Sequence, residues 1–314
     1  MGKALDLKYA ELMRAHPFGT ALYLPIPSSQ FQPGFIGYFD STGAWNPIGN
    51  ITSASSLPLC LSSIDGTALK RAPTQKQTWG PKLGNKTRGR AIDLSVGLGA
   101  IPMLAAAALP FDVSAYFRFQ ADKNHGAVLL TSGPIVHERY YHKEPLLQWM
   151  KQNAKSLVKS YPEVRENGLW VVTSTWAAKN ASVNCWNSKD KVVDVGFSTT
   201  ALEFGEVAPK GSYRHGGSAE GWISTQSDDD DKGHVVFFHG IRFTWIPIRG
   251  LTEKKTPGRF RGEGRTTSAS LTTFEDDLGN GMLEVQYEDQ TEREEHDAVY
   301  QDDDEEDAWG PGVQ

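Results

Sequence analysis

Lys151, Lys155 and Lys159 recur every fourth residue, a spacing that lines three ammonium groups along one side of a helix. Such a row is either a solvated face or a contact for anionic lipid headgroups, where each well-placed lysine contributes on the order of 1 kcal/mol. Two further basic groups stand apart from it. Lys3, Lys8 and Arg14 fall within the first sixteen residues, and Lys82, Lys86, Arg88 and Arg90 crowd one short loop. Covalent chemistry finds little to work with. The chain has no GxSxG nucleophile elbow, HExxH pair, paired CxxC, P-loop or GxGxxG fingerprint. Arg214-His215-Gly216-Gly217 reads as a turn, and His137-Glu138-Arg139 as a salt-linked helix start. The acidic run Asp228 to Asp231 lacks the spaced ligands of a calcium loop. The expectation is therefore no enzyme, no metal and no cofactor. Nucleic acid is not expected as a partner either, because the aromatic residues are not interleaved with Lys and Arg as a stacking groove requires.

The elements that must carry these residues follow from periodicity. Leu5, Tyr9, Leu12 and Met13 share one face at helical spacing, so the first basic group rides on a short amphipathic helix that Pro17 and Gly19 end. The lysine row sits on the clearest helix of the chain. Glu144 and Pro145 suit its first turn, and Leu146, Met150, Leu157 and Tyr161 form its apolar stripe, with Trp149 and Val158 at the edge. The segments ALYLPIPSS and FIGYFDSTGAWNPI read as strands, the second folding back through Asp40-Ser41-Thr42-Gly43. Farther on, LWVVTSTWAAK and KVVDVGFSTTALEF alternate as the arms of a long hairpin with its tip at Asn187 to Asp190. GSAEGWISTQS and HVVFFHGIRFTWIPI read as a second strand pair joined through DDDDKG.

One stretch resists both simple readings. Ala91 to Phe119 is nearly uncharged, yet Pro102 and Pro110 would break a membrane-spanning helix. Ile92, Leu94, Val96 and Leu98 alternate with small or polar residues, and so do Val113, Ala115, Phe117 and Phe119.

Composition and charge divide the chain. With 314 residues, 39% of them apolar, it has material for a large core, and 31 glycines and 17 prolines favour a sheet-rich fold. The formal net charge of −6 hides an asymmetry: residues 251–314 hold 18 acidic and 6 basic side chains, a net of −12, which leaves 26 basic and 20 acidic, a net of +6, in residues 1–250. The expected division is a folded body over 1–250, a flexible linker over 251–273 and an acidic, disordered tail over 274–314. The start lacks the apolar core of a secretory signal, which places the protein in the cytoplasm, where Cys60 and Cys185 are expected as small buried thiols rather than a disulfide. Two classes stay open on the residues alone. A β-rich carbohydrate-binding module would expose Trp45, Trp79 and Trp222 as stacking platforms; a membrane-active protein would use the basic rows and the apolar stretch.

The order of the pieces resembles the gasdermin pore-forming domain. Leu22 to Thr52 is similar to its early strands, with a Phe-x-Pro turn between them. IVHERYYHKEPLLQWMKQNAKSLVKSYPEVRENGLWVVTS is similar to its stretch that ends in a helix and a V-Y-V-V-T-E strand, and VVFFHGIRFTWIP resembles its closing strand. The likeness spans roughly residues 5 to 250 as a series of weak motifs in the right order. It implies an α+β fold with a twisted, mostly antiparallel sheet and flanking helices. It further implies a protein that binds acidic phospholipid, forms a homo-oligomeric β-barrel pore at the plasma membrane in cell death, and is restrained by its C-terminal region until a protease cuts it. On that reading Lys3, Lys8, Arg14, Lys86, Arg88, Arg90, Lys151, Lys155 and Lys159 meet lipid. One inserting hairpin carries Ile92, Leu94, Val96, Leu98, Val113, Ala115 and Phe117. A second, over Leu169 to Phe204, carries Trp170, Val172, Trp176, Val193, Val195 and Phe197. Lys254, Lys255, Arg259, Arg261 and Arg265 offer the cleavage sites. Where animal gasdermins carry a folded helical inhibitory domain, this chain has only some sixty residues after Gly250, which makes fungal relatives with short removable tails the nearer parallel.

Overall fold

A computed structural model describes residues 5–65, 67–93, 113–121, 125–187, 192–198, 213–214, 222–227, 233–248, 268–275 and 282–289. Helix α1 (Leu5–Leu12) runs into a 3-10 turn at Met13–Ala15, followed by strands β1 (Thr20–Pro27), β2 (Phe35–Phe39), β3 (Trp45–Asn50), β4 (Gln75–Gln77), β5 (Lys82–Leu83), β6 (Thr87–Asp93), β7 (Val113–Ala121), β8 (Gly126–Ser132) and β9 (Ile135–Arg139). Helices α2 (Glu144–Ser160) and α3 (Val164–Asn167) precede β10 (Leu169–Ala178), β11 (Asn180–Trp186), β12 (Val192–Ser198), β13 (Tyr213–Arg214), β14 (Trp222–Gln226), β15 (His234–Ile248), β16 (Ala269–Glu275) and β17 (Met282–Asp289). Every strand pairing among the described residues is antiparallel, and the fold is α+β, a mostly antiparallel sheet with flanking helices.

Among the described residues the strands make three sheets. The largest has nine, in the order β16-β17-β15-β10-β2-β3, with β1 on β15 and β4-β9 on β10. Local chemistry explains its start. The Asp40 carboxylate accepts from Thr42 N and Oγ1 and from Ala44 N, closing the turn between β2 and β3. Those bonds, chiefly from the Thr42 side chain, hold its pKa down at about 2.

Bulges organise the core. The register of β10 against β15 slips between Val172 and Ser174, which inverts the alternation downstream. Leu169 and Val171 before the slip therefore face the same side as Ala178 after it. On that side α2 buries Leu146, Trp149, Met150, Leu157 and Val158 against the first pair, while α1 and the turn after it bury Tyr9, Leu12 and Met13 in the cluster that holds Ala178. The opposite side carries Trp170 and Val172, packed with Phe31, Phe39 and Phe238. Both helices thus lie on one side of β10, at its two ends.

Several sequence expectations need correction. The long hairpin from Leu169 to Phe204 does not form: β10 pairs with β15, β2 and β9, and β11 intervenes before β12. Trp170 and Val172 are 1% and 0% exposed in the core, and Trp176 is half-buried, its ring stacked on His137 at 3.6 Å. The pair expected through DDDDKG does not form either, because β14 joins β11 whereas β15 joins β1, β10 and β17. His137 to Arg139 belongs to strand β9 rather than a helix start. Leu5, assigned to the apolar face of α1, is 41% exposed, and Cys60 is exposed. Trp79 is 4% exposed and Trp45 packs edge-on against Phe31, so neither forms an open stacking platform. Finally, β16 and β17 fall in the stretch expected to be linker and acidic tail, and they extend the largest sheet. Period-two alternation of Leu283, Val285 and Tyr287 outweighs the charge of the residues between them.

Candidate functional site

The other two sheets have four strands each, ordered β14-β11-β8-β5 and β13-β12-β7-β6. Each strand of the first is the sequence neighbour of the strand in the same place in the second. Strand for strand, the two sheets align as two described segments of a four-stranded ribbon. Its central ladder keeps a single register across the interruption. From Asn180 to Phe197 on one strand, and from Ser132 to Ala115 on the other, the same number of residues is covered.

The far segment consists of two hairpins side by side. In the first, β6 pairs with β7 from Thr87↔Ala121 to Asp93↔Ala115, and the chain between the arms, 94–112, lies outside the described residues. In the second, β12 pairs with β13 through Val195↔Arg214 and Gly196↔Tyr213. The hairpins join through β7 and β12, from Val192↔Gln120 to Ser198↔Val113, with one slip at the end. The first hairpin therefore forms between the arms expected from sequence. The second uses Val193, Val195 and Phe197 but not Trp170, Val172 or Trp176. Leu94, Val96 and Leu98 lie outside the described residues, and only the backbone is described for Arg90, Ile92, Val113, Ala115, Phe117, Val193, Val195 and Phe197.

Where the segments meet, the packing is tight and the polar chemistry incomplete. Phe119, Ala121, Val128, Leu130 and Trp186 bury together. Trp186 lies over Gly126 so closely that a Cβ there would come within 2.2 Å of its ring. Asn184 is fully buried, yet neither its Oδ1 nor its Nδ2 has a hydrogen-bond partner, and the same holds for Trp186 Nε1. Leaving such a group unpaired costs about 1–3 kcal/mol.

Helix α1 clamps the near end of this ribbon. Asn85 N donates to Leu12 O at 2.8 Å, Gly84 N donates to Ala127 O at 2.9 Å, and a ring nitrogen of His16 bonds Leu83 O at 2.8 Å. Two basic groups that are distant in sequence meet here. Lys8 and Lys86 both bear on His125, whose pKa is lowered by burial first and then by Lys8, with Glu11 opposing and Lys86 adding a smaller push downward. Lys8 also pairs with Glu11 at 3.2 Å. Arg88 is exposed on β6 and Arg14 is half-buried, while Lys3 lies outside the described residues. Lys151, Lys155 and Lys159 are exposed along the outer side of α2. That basic row stays separate from the α1 group along the sheet, though both helices cover the same side of β10. Lys254, Lys255, Arg259, Arg261 and Arg265 lie outside the described residues.

Sequence reasoning missed β8 and β11, and found β14 but gave it the wrong partner. An unbroken apolar run such as Gly126 to Leu130 was legible as a doubly covered strand, and all of β8 is buried. Among the described residues no cluster of His, Cys, Asp and Glu could hold a metal, and no helix is long and apolar enough to cross a membrane. The latter fact does not bear on crossing by strands.

Fold and site together define an α+β protein with two coupled hairpins on a helix-backed ribbon. No protein-family model matches the chain, and no curated protein matches it. Among solved structures it is similar to a bacterial gasdermin from Bradyrhizobium tropiciagri, at 13% identity and a TM-score of 0.29, over 76% of this chain and 86% of that one. It is also similar to the gasdermin A3 membrane pore, at 11% identity and a TM-score of 0.30, over 80% of this chain and 98% of that one.

Proposed function

We propose that this chain is a cytoplasmic, non-enzymatic pore former of the gasdermin kind, an effector of cell death. In this reading it binds acidic phospholipid through its basic helices, assembles with copies of itself at the plasma membrane, and contributes its two hairpins to a β-barrel. The observation that carries the reading is the pair of hairpins sharing the β7–β12 ladder. In a closed barrel every backbone group is paired between strands, so the prolines at Pro102 and Pro110 are tolerable at a turn-around where they would ruin a helix. The unpaired amide of Asn184 favours a change of state, since the soluble form bears a cost that rearrangement of the ribbon can relieve. Restraint by the C-terminal region, lifted by a protease cutting near Lys254 to Arg265, completes the proposal.

The test is dye release from anionic and neutral vesicles. The full-length protein, protein cut between residues 251 and 267, and cut protein freed of its C-terminal fragment are compared. Release from anionic vesicles only, rising once the fragment is gone, supports the reading. Silence from all three preparations on both vesicle types refutes it.

A further inference from the structure

The C-terminal hairpin is seated more deeply than an acidic tail would be. β17 pairs with β15 without a slip from Ile241↔Asp289 to Ile248↔Met282, and β16 closes over β17 from Ala269↔Tyr287 to Glu275↔Met282. Leu283 is 2% exposed and Val285 0%, both in the cluster that holds Trp245 and the apolar side of α2. Leu271, Phe274 and Tyr287 pack at its margin. The end of the hairpin is tied down as well, because Lys143, just before α2, is paired with Asp289.

We propose that the outer edge of β15 and the adjoining flank of α2 form a strand-accepting site whose resident ligand is the chain's own strand pair β16 and β17, held there without need of a covalent link to the body. The edge strand supplies a row of main-chain donors and acceptors, and the flank supplies an apolar seat for the inward side chains of the added strand. A partner for the emptied site would be an extended segment with apolar residues at alternate positions, as in Leu283, Val285 and Tyr287. The consequence for activation rests on the pore-forming reading: a cut among Lys254 to Arg265 does not by itself bare this edge, and the hairpin must also be displaced.

The experiment uses the full chain with a specific protease site placed within residues 256–262, cut after purification and examined without lipid. The C-terminal fragment is expected to co-elute with the body in gel filtration at low micromolar concentration. In the cut protein, Val285→Asp is expected to weaken retention at least about a hundredfold, since it places a charge in a dry seat. If that variant does not fold, exchange of a labelled synthetic peptide of residues 268–290 into the cut wild-type protein replaces it, and labelled peptide must enter at a saturable site. Prompt separation of the wild-type fragment, retention indifferent to Val285→Asp, or no peptide exchange at any concentration would overturn the proposal. Vesicle leakage is scored separately. A retained fragment whose removal still gives a folded but silent body defeats the pore-forming reading and leaves the strand-accepting site standing.

Discussion

His137 gives the fold a measurable dependence on acid. Its ring lies flat on Trp176, with one nitrogen 2.9 Å from Ser174 Oγ and the other 3.3 Å from Gln75 Oε1. Burial, followed by the charge of Arg139 and then His239, pushes its pKa down to about 4. The unfolded chain keeps an ordinary histidine near 6.5, so between these values it binds more protons than the folded one. His137 therefore contributes stability that is present in full above pH 6.5 and is lost as pH falls through about 4. Each unit of separation is about 1.36 kcal/mol, so the gap corresponds to about 3 kcal/mol, or about 2 once Ser174 and Gln75 oxygens accept from the charged ring. Urea denaturation at pH 7.0 and pH 4.5 should show this loss in the wild type, and His137→Gln should remove most of it while lowering stability at pH 7.0. An equal pH slope in wild type and variant would refute the assignment and pass the dependence to other groups.

Asn184→Leu, which removes the two unpaired amide atoms, should raise stability by about 1–3 kcal/mol in thermal melts and slow dye release. Ala115→Arg should leave the soluble fold and vesicle binding intact but abolish leakage, since a charge on the lipid face of a barrel strand costs about 2–4 kcal/mol at the midplane. Replacing Lys151, Lys155 and Lys159 by Glu should reduce sedimentation with anionic vesicles strongly, and unchanged sedimentation would remove α2 from the lipid contact. A thiol reagent should label Cys60, which is exposed, and spare Cys185, whose burial pushes its pKa up to about 12, until the protein is unfolded.

Local signals read well wherever one residue's neighbours decide its state. The helix from Glu144 and the turn at Asp40 are written in spacing and turn chemistry, whereas the arms of the first hairpin come from the family resemblance. Pairing partners were not legible in the same way, because alternation says that a strand has two faces but not which strand lies beside it. LWVVTSTWAAK looks like a hairpin arm for this reason, while its burial on both faces comes from β15 and two layers of side chains far away in sequence. The C-terminal hairpin was hidden by composition: acid side chains dominate the segment, and three inward positions hold it to the sheet. For the candidate site, the basic groups were found residue by residue, but only the fold docks α1 on the β5–β6 connection, so that Lys8 and Lys86 both act on His125.

The register shared by the two described stretches of the central ladder, as far as Phe197↔Ala115, acts as a mechanical constraint. Sliding β12 along β7 by one position would invert which side chains share a face there, and the same slide would be imposed on β11 and β8, where Ala181 and Val183 sit in one core and Trp186 in another. The helix-backed half is thus a template that fixes alignment for the half beyond it. If the ladder between the hairpins lengthens past Ser198↔Val113, the slip after Phe197 sets the new pairs one position out of phase with the template, so that slip must be resolved before the template's alignment can extend.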